Sequence, residues 1–201
     1  MRSMIPVERI TALVLAGGRG SRMGSVDKGL QAFDGEPLIA HVLRRIAQQV
    51  GTVAISANRN RERYAAYGHP VIADLDAQFA GPLAGVHAGL LACRTEFLCT
   101  VPCDAPFVPH DLVSRLGGAI DDGVALAVAK TGTQLHPVFC LMRRTVVDDL
   151  AAWLAADGRA VHRWIERLPH RAVSFDDEHA FVNLNTLDEL RTAEDRASHG
   201  T

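Results

Sequence analysis

A glycine-rich, basic segment directly after a short apolar run is the feature that most restricts how this chain can fold. The run Ile10–Leu15 is typical of a buried strand. Residues 16–30 then contain five glycines and three basic side chains, Arg19, Arg22 and Lys28. Because glycine has no Cβ, backbone N–H groups in such a loop can approach an anion closely. A strand that leads into a loop of this kind predicts a phosphate-binding site, with a plain tight turn as the alternative.

The loop fits neither of the two commonest phosphate-binding motifs. No Gly-Lys-Ser/Thr sequence closes it, and the spacing of Gly18, Gly20 and Gly24 misses the dinucleotide motif by one residue. The residues of the loop alone therefore leave phosphate binding and a structural turn both open.

Short apolar runs alternate with amphipathic stretches along the chain, which predicts a mostly parallel sheet covered by helices. We expect strands at Ala12–Leu15, Thr52–Ser56, Val71–Ala73, Phe97–Val101, Val124–Ala129, Val138–Met142 and Ala172–Phe175. We expect helices at Leu38–Gln49, Leu83–Arg94, Pro109–Leu116, Arg144–Ala155, Val161–Leu168 and Leu187–Arg196. The pattern predicts one three-layer α/β/α domain with a Rossmann-like fold over residues 1–201.

Helix-capping residues support some of these boundaries. Asp111 and Ser114 lie near an expected helix start, and Thr186 with Glu189 fits a capping box. Ligands of such sheets bind beyond the carboxyl ends of the strands. We therefore expect the glycine-rich loop after the first strand, and Asp104 after the fourth, to open onto the same edge.

Composition excludes several classes of protein. The 201-residue chain has a formal net charge of −2, which argues against a general nucleic-acid or membrane-surface binder. No apolar run approaches the length of a membrane span, and the start lacks the apolar core of a signal peptide. We therefore expect a cytoplasmic protein with no nucleic-acid or membrane partner.

The four cysteines, at positions 93, 99, 103 and 140, form no Cys-x-x-Cys pair. We expect reduced thiols, because a chain of this size does not need disulfides to be stable. Cys99 and Cys140 lie in apolar runs and should be core residues. Cys103 is next to Asp104 and is placed to line the site, although no ligand cluster supports a metal-binding role for it.

Asp104 is the candidate metal ligand. It directly follows an apolar run and is flanked by prolines at 102, 106 and 109. Mg²⁺ commonly takes one or two carboxylates together with substrate phosphates, whereas the structural alternative is a turn aspartate that accepts hydrogen bonds from backbone N–H groups. Lys28 and Arg22 are the candidates for neutralising phosphate charge, while Arg19 fits a solvated loop better.

Several ordered motifs carry a resemblance over most of the chain, from about Thr11 to Arg191. The loop reads Leu-Ala-Gly-Gly, Arg-Met-Gly and Asp-Lys-Gly-Leu. The further motifs, in the same order, are Gly81-Pro82-Leu83-Ala84-Gly85, Pro102-Cys103-Asp104-Ala105-Pro106, His136-Pro137 and Asn183-Leu184-Asn185-Thr186. Together they resemble the nucleotidyltransferase family, and within it the molybdenum cofactor guanylyltransferase (MobA-type) branch.

The resemblance implies a reaction and its substrates. A protein of this branch transfers GMP from Mg-GTP to the terminal phosphate of molybdopterin, with or without bound molybdenum, and releases pyrophosphate. It implies Mg²⁺ as the cofactor, a monomer, and transient contact with molybdopterin-delivering or molybdoenzyme-maturation proteins. The alternatives are a cytidylyl- or other nucleotidyltransferase acting on a related pterin or a sugar or polyol phosphate, and a non-catalytic nucleotide-binding module.

The resemblance also implies the residues of the site. Lys28, Arg22 and Asp104 would be catalytic, with Asp104 as the metal ligand. The nucleotide- and cofactor-binding positions would be Leu15, Ala16, Gly17, Gly18, Lys28, Ser56, Asn58, Asp74, Gly81, Pro82, Leu83, Gly85, Asp104, Asn183 and Asn185. The His136 and Asn183 regions would form the pterin side of the pocket, with Asn183 assisting Asp104. Two positions depart from the family pattern: Ser56 stands where related enzymes tend to have Asn, and Ser25 replaces a common glycine.

Overall fold

The computed structural model describes residues 5–16, 27–75 and 81–184. The strands are β1 (Ile10–Leu15), β2 (Ala32–Phe33), β3 (Glu36–Pro37), β4 (Thr52–Ser56), β5 (Val71–Ile72), β6 (Phe97–Pro102), β7 (Leu126–Thr131), β8 (Gln134–Arg143) and β9 (His170–Phe175). The α-helices are α1 (Leu38–Ile46), α2 (Arg61–Ala65), α3 (Pro82–Ala92), α4 (Leu112–Gly117), α5 (Val147–Ala155) and α6 (Val161–Glu166). Short 3₁₀ turns lie at Val7–Arg9, Lys28–Leu30, Arg144–Val146 and His179–Phe181.

Seven of these strands form one sheet in the order β5-β4-β1-β6-β8-β7-β9. Every neighbouring pair is parallel except the two that include β8, which runs antiparallel to both β6 and β7. The sheet is therefore mostly parallel, as the sequence predicted. The strand order reverses between β1 and β6, and this is the position where ligands bind in sheets of this kind.

Helices cover both faces of the sheet, because side chains along each strand alternate between them. In β1, Ala12 and Val14 face the cluster that contains α1 and α4, whereas Leu13 and Leu15 face the cluster that contains α3, α5 and α6. All six residues of β1 and all six of β6 are buried. This arrangement confirms the predicted three-layer α/β/α architecture.

The boundaries differ from expectation where the sequence signal is weak. Helix α1 ends at Ile46 rather than Gln49, and the predicted helix from Arg144 begins as a 3₁₀ turn. The hairpin β2–β3 and the helix α2 were not predicted, since elements of two to five residues show no measurable periodicity. The predicted helix Leu187–Arg196 and its capping box lie outside the described residues.

Two local predictions were wrong. Asp111 makes no side-chain capping hydrogen bond, and its carboxylate pairs instead with Arg115 one turn later at 3.5 Å. His136-Pro137 does not precede a strand but lies inside β8. The pairing register of β7 and β8 shifts between Val128 and Ala129, and a strand proline is tolerated at such irregularities because no ladder N–H is needed from it.

The four cysteines are free and buried, which confirms the expected reduced thiols and the core positions of Cys99 and Cys140. Among the residues that the structure describes, no helix combines the length and apolar character that crossing a membrane requires.

Candidate functional site

The ends of three parallel strands meet at the switch point of the sheet. In the register of β1, Leu15 lies opposite Ser56 of β4 and Pro102 of β6. The backbone continues this pairing past the strands: Ala16 N–H donates to the Ser56 carbonyl at 2.8 Å, and Cys103 N–H donates to the Leu15 carbonyl at 3.1 Å. The start of the glycine-rich loop and the Asp104 segment therefore open onto one edge, as expected.

Lys28 and Asp104 form the charged centre of this edge. Lys28 Nζ lies 3.7 Å from Asp104 Oδ2, although the two side chains come from different loops. The Asp104 side chain is only 11% exposed and that of Lys28 is 35% exposed, so water screens the pair incompletely. The structure thus brings together two of the three residues that the sequence nominated for catalysis; Arg22 lies outside the described residues.

The C-terminal segment returns to the same centre. Leu184 N–H donates to the backbone carbonyl of Asp104 at 2.8 Å. Its neighbour Asn183 has a buried side-chain oxygen, Oδ1. This contact brings the Asn183 segment next to the backbone of Asp104, while Asn185 is outside the described residues.

An open cavity of about 430 Å³ lies between β8 and this returning segment. His136 Nε2 is 2.8 Å from Thr131 Oγ1, and the imidazole stacks on Phe181 with ring centroids 4.6 Å apart. Burial lowers the pKa of His136 below its usual value, so the ring is favoured in its neutral form. The cavity is lined by Thr131, Gln134, Leu135, His136, Pro137, Val138, Phe139, Glu178, Phe181, Val182 and Asn183.

Asn58 and Asp74 form a paired polar group after β4 and β5. Asn58 Nδ2 donates to Asp74 Oδ2 at 2.7 Å, and Asp74 N–H donates to Asn58 Oδ1 at 2.8 Å. The two side chains hold each other at the sheet edge. Sequence reasoning named both residues but did not foresee that they pair.

The start of α3 packs directly onto the strand ends. Gly81 has φ +115°, a conformation that favours glycine, and Pro82 occupies the first turn of the helix. Leu83 is buried. A Cβ on Gly85 would lie 2.4 Å from Ser56 Oγ and 3.3 Å from Leu15 Cδ2. Leu15, Ser56 and Gly85, each named from the sequence, are thus in mutual contact.

Gly85→Ala is expected to lower the free energy of unfolding by about 1 kcal/mol or more, because the new methyl group overpacks the buried Ser56 side chain. Urea unfolding would measure this change. Gly118→Ala is the matched control: its Cβ would meet only backbone atoms at 3.5 and 3.6 Å, and its φ of −63° suits alanine. Equal stability changes in the two variants would contradict the close contact.

The residue Asp27, directly before Lys28, has partners that sequence reasoning missed. Tyr64 O–H donates to Asp27 Oδ1, and Asn60 Nδ2 donates to Asp27 Oδ2 at 2.9 Å. Tyr64 lies in α2, and Asn60 is the residue directly before that helix. The sequence signal that could have indicated these partners is the four-residue spacing of Asn60 and Tyr64 shortly after the end of β4.

The donor set at this edge suits a hard cation shared with substrate. Within residues 5–16, 27–75 and 81–184, no cluster of three or more His, Cys, Asp or Glu side chains is arranged to hold a metal ion. A single carboxylate such as Asp104 fits Mg²⁺, which keeps water and takes phosphate oxygens as further ligands. Cys103, next to Asp104, is 6% exposed, and burial raises the pKa of its thiol well above the usual value.

Among solved structures, the chain matches the molybdopterin-guanine dinucleotide biosynthesis protein A from Archaeoglobus fulgidus with a TM-score of 0.77 and 25% identity, covering 94% of this chain and 98% of that one. It also matches a CMP:2-keto-3-deoxy-manno-octonic acid synthetase with a TM-score of 0.73 and 14% identity, covering 98% and 100% of the two chains, which shows the fold alone. The fold is that of the Rossmann-like nucleotidyltransferases.

The particular family follows from the sequence comparison. The MobA-like NTP transferase domain matches residues 12–172, and the chain belongs to that family. Over 203 residues it is 49% identical to the molybdenum cofactor guanylyltransferase of Ralstonia nicotianae, covering 96% of this chain and 100% of the relative. It is 50% identical to that of Cupriavidus pinatubonensis, covering 95% and 99%. These findings confirm the resemblance that the motifs indicated.

Proposed function

We propose that this chain transfers GMP from Mg-GTP to the terminal phosphate of molybdopterin, releases pyrophosphate and so forms the guanine dinucleotide form of the cofactor. The observation that carries the proposal is the Lys28–Asp104 pair, 3.7 Å apart at the switch point. The near-full-length relatives named molybdenum cofactor guanylyltransferase support the choice of guanine and of molybdopterin.

The reaction is an in-line displacement at the α-phosphorus of GTP. An oxygen of the acceptor phosphate forms the new P–O bond while the bond to pyrophosphate breaks. A phosphate monoester is already anionic at neutral pH, so the protein needs no strong general base and works by positioning and charge stabilisation. In this role Lys28 and Arg22 bind the triphosphate, and backbone N–H groups of Gly17 and Gly18 contribute further donors.

Asp104 is the residue proposed to hold Mg²⁺, with the side-chain oxygen of Asn183 as its neighbour and Asn185 as a further contributor. When bound, the ion neutralises charge that develops on the phosphates. The contact between Leu184 N–H and the Asp104 backbone carbonyl supports this assignment, because it keeps the Asn183 segment next to the backbone of Asp104.

The guanosine part is proposed to lie across the ends of β1, β4 and β5. Leu15 and Ala16 would contact it from β1, and the Asn58–Asp74 pair would accept from its ribose or base. The further positions proposed to line this part are Ser56, Gly81, Pro82, Leu83 and Gly85. The cavity beside His136 and Phe181 is proposed to receive the pterin, because its flat aromatic wall suits a flat heterocycle.

The decisive experiment incubates the purified protein with molybdopterin, with and without molybdate, and either Mg-GTP or Mg-CTP, and identifies the product by mass. We expect the GMP adduct and pyrophosphate only with GTP. Preference for CTP would replace the substrate assignment with a cytidylyltransferase. GTP binding with no pyrophosphate release under any condition would instead indicate a non-catalytic nucleotide-binding module.

We also infer that residues 1–201 act as one domain and as a cytoplasmic monomer, with no nucleic-acid or membrane partner. The seven-stranded sheet, whose strands come from residues 10–175, supports the single domain, and the net charge of −2 argues against a nucleic-acid or membrane partner. Proteins that deliver molybdopterin or mature molybdoenzymes are the proposed transient partners. Light scattering after gel filtration would test the monomer.

A further inference from the structure

The hydrogen bonds of Asp27 differ from those usual for an aspartate at the start of a helical turn. Asp27 directly precedes the 3₁₀ turn Lys28–Leu30, where an Asp side chain ordinarily caps the backbone N–H groups. Here the carboxylate makes no capping hydrogen bond. Backbone bonds hold the turn instead, with Leu30 N–H donating to the Asp27 carbonyl at 3.1 Å. The carboxylate is therefore used for something other than local helix structure.

Both carboxylate oxygens accept hydrogen bonds from the α2 region, one from Tyr64 O–H and one from Asn60 Nδ2 at 2.9 Å. Tyr64 is fully buried, so its hydroxyl has few alternative partners. Asn60 adopts a left-handed backbone conformation, with φ 50° and ψ 31°. Asn tolerates this conformation better than most residues, and it precedes the first turn of α2.

The Tyr64 hydroxyl also lies close to Gly29, the residue after Lys28. A Cβ on Gly29 would be 2.8 Å from the Tyr64 hydroxyl oxygen and 2.9 Å from Cys103 Sγ. Asp27, before Lys28, thus hydrogen-bonds to Tyr64, and Gly29, after it, packs so closely against the Tyr64 hydroxyl and Cys103 Sγ that a Cβ there would clash with both. This arrangement fixes the backbone from which the Lys28 side chain reaches Asp104.

We propose that Tyr64 is a positioning residue of the active site: through Asp27 and Gly29 it holds the backbone of Lys28 so that the lysine ammonium group stays beside Asp104. Asn60 provides the second hydrogen bond of the same clamp. The inference rests on the proposed nucleotidyl transfer, because Lys28 acts on the triphosphate there.

The hydroxyl is suited to this role over the working range of pH. Burial raises the pKa of Tyr64 far above its usual value, and the nearby Cys103 and the bond to Asp27 act in the same direction. Tyr64 therefore remains a neutral donor. The contribution of the clamp is not expected to titrate near neutral pH.

The test is a double-mutant cycle between Tyr64→Phe and Lys28→Met in steady-state GMP transfer. The Phe variant keeps the ring and removes only the hydroxyl. With Lys28 present we expect kcat to fall by about tenfold or more, with an unchanged KM for molybdopterin, as for residues that orient a catalytic group. In the Lys28→Met background the same change should cost almost nothing, because there is no ammonium group left to position.

Tyr67→Phe is the matched control, since it removes the only other tyrosine hydroxyl of the chain, three residues further on. Asn60→Gly is the second variant, because glycine accepts the positive φ and the side chain is exposed. We expect a smaller fall in kcat for Asn60→Gly than for Tyr64→Phe, and this fall should also disappear in the Lys28→Met background. Thermal unfolding of each variant identifies any that fails to fold.

Wild-type kcat in both Tyr64→Phe and Asn60→Gly would overturn the proposal. So would equal losses with and without Lys28, which would indicate that the two bonds only stabilise the fold. A wild-type enzyme that shows no GMP transfer would contradict the proposed function instead, so the two failures are distinguishable.

Discussion

Asp104→Asn is expected to reduce GMP transfer by on the order of a thousandfold while leaving the fold intact. The amide has the shape of the carboxylate, and the backbone carbonyl of residue 104 can still accept from Leu184 N–H. The charge that would hold Mg²⁺ against the triphosphate is lost. Single-turnover rates over a range of Mg²⁺ concentrations would measure the effect, and very high Mg²⁺ should restore part of the rate if affinity for the ion is the main loss.

Asp111→Asn is the matched control for this experiment. Asp111 is an exposed aspartate further along the same segment, and its carboxylate pairs only weakly with Arg115 at 3.5 Å. We expect wild-type rates from it. Full activity of Asp104→Asn at ordinary Mg²⁺ would disprove the assignment of Asp104 as the metal ligand.

Lys28→Met should lower kcat by about a hundredfold, because a compact positive charge beside the phosphates is replaced by an apolar side chain of similar length. The Lys28 ammonium group lies 3.7 Å from Asp104 and the side chain is 35% exposed, so a bound triphosphate can reach it. Pyrophosphate release in rapid-quench experiments would measure the loss. GTP binding by calorimetry would show whether affinity falls in parallel.

The composition of the chain offers a direct control. Its only lysines are Lys28 and Lys130. Lys130 lies in β7, three strands from β1 in the sheet order, whereas Lys28 lies in the loop that follows β1. Lys130→Met should transfer GMP at the wild-type rate. In the wild-type protein, GTP should protect Lys28 but not Lys130 from an amine-modifying reagent followed by mass spectrometry. Equal protection of both lysines would argue against triphosphate contact at Lys28.

The strands that carry the site could be predicted from the sequence because they are buried on both faces. β4 has the predicted bounds, and β1 and β6 differ from them by only one or two residues. Continuous apolar runs of this kind are typical of parallel strands covered by helices. The position of Asp104 and of Ala16 at one edge then followed from the general rule for such sheets.

Other parts of the site had no signal along the chain. Helix α2 spans only Arg61–Ala65, too short for a periodic pattern, and so Tyr64 and Asn60 were not recognised. His136-Pro137 was expected to precede the strand Val138–Met142, whereas it lies inside β8, where the irregular pairing with β7 accommodates Pro137. The apparent cap at Asp111 depended on side-chain geometry that residue type alone does not determine.

The sequence by itself determined the fold class, the family motifs and the identities of the charged residues, because burial periodicity and loop composition are local properties. Only the tertiary structure decided which of these residues meet. Strand order brings Lys28 within 3.7 Å of Asp104, the returning C-terminal segment bonds to the Asp104 carbonyl, and α2 supplies two donors to Asp27. These contacts depend on the register and packing of elements far apart in the chain, which no local pattern specifies.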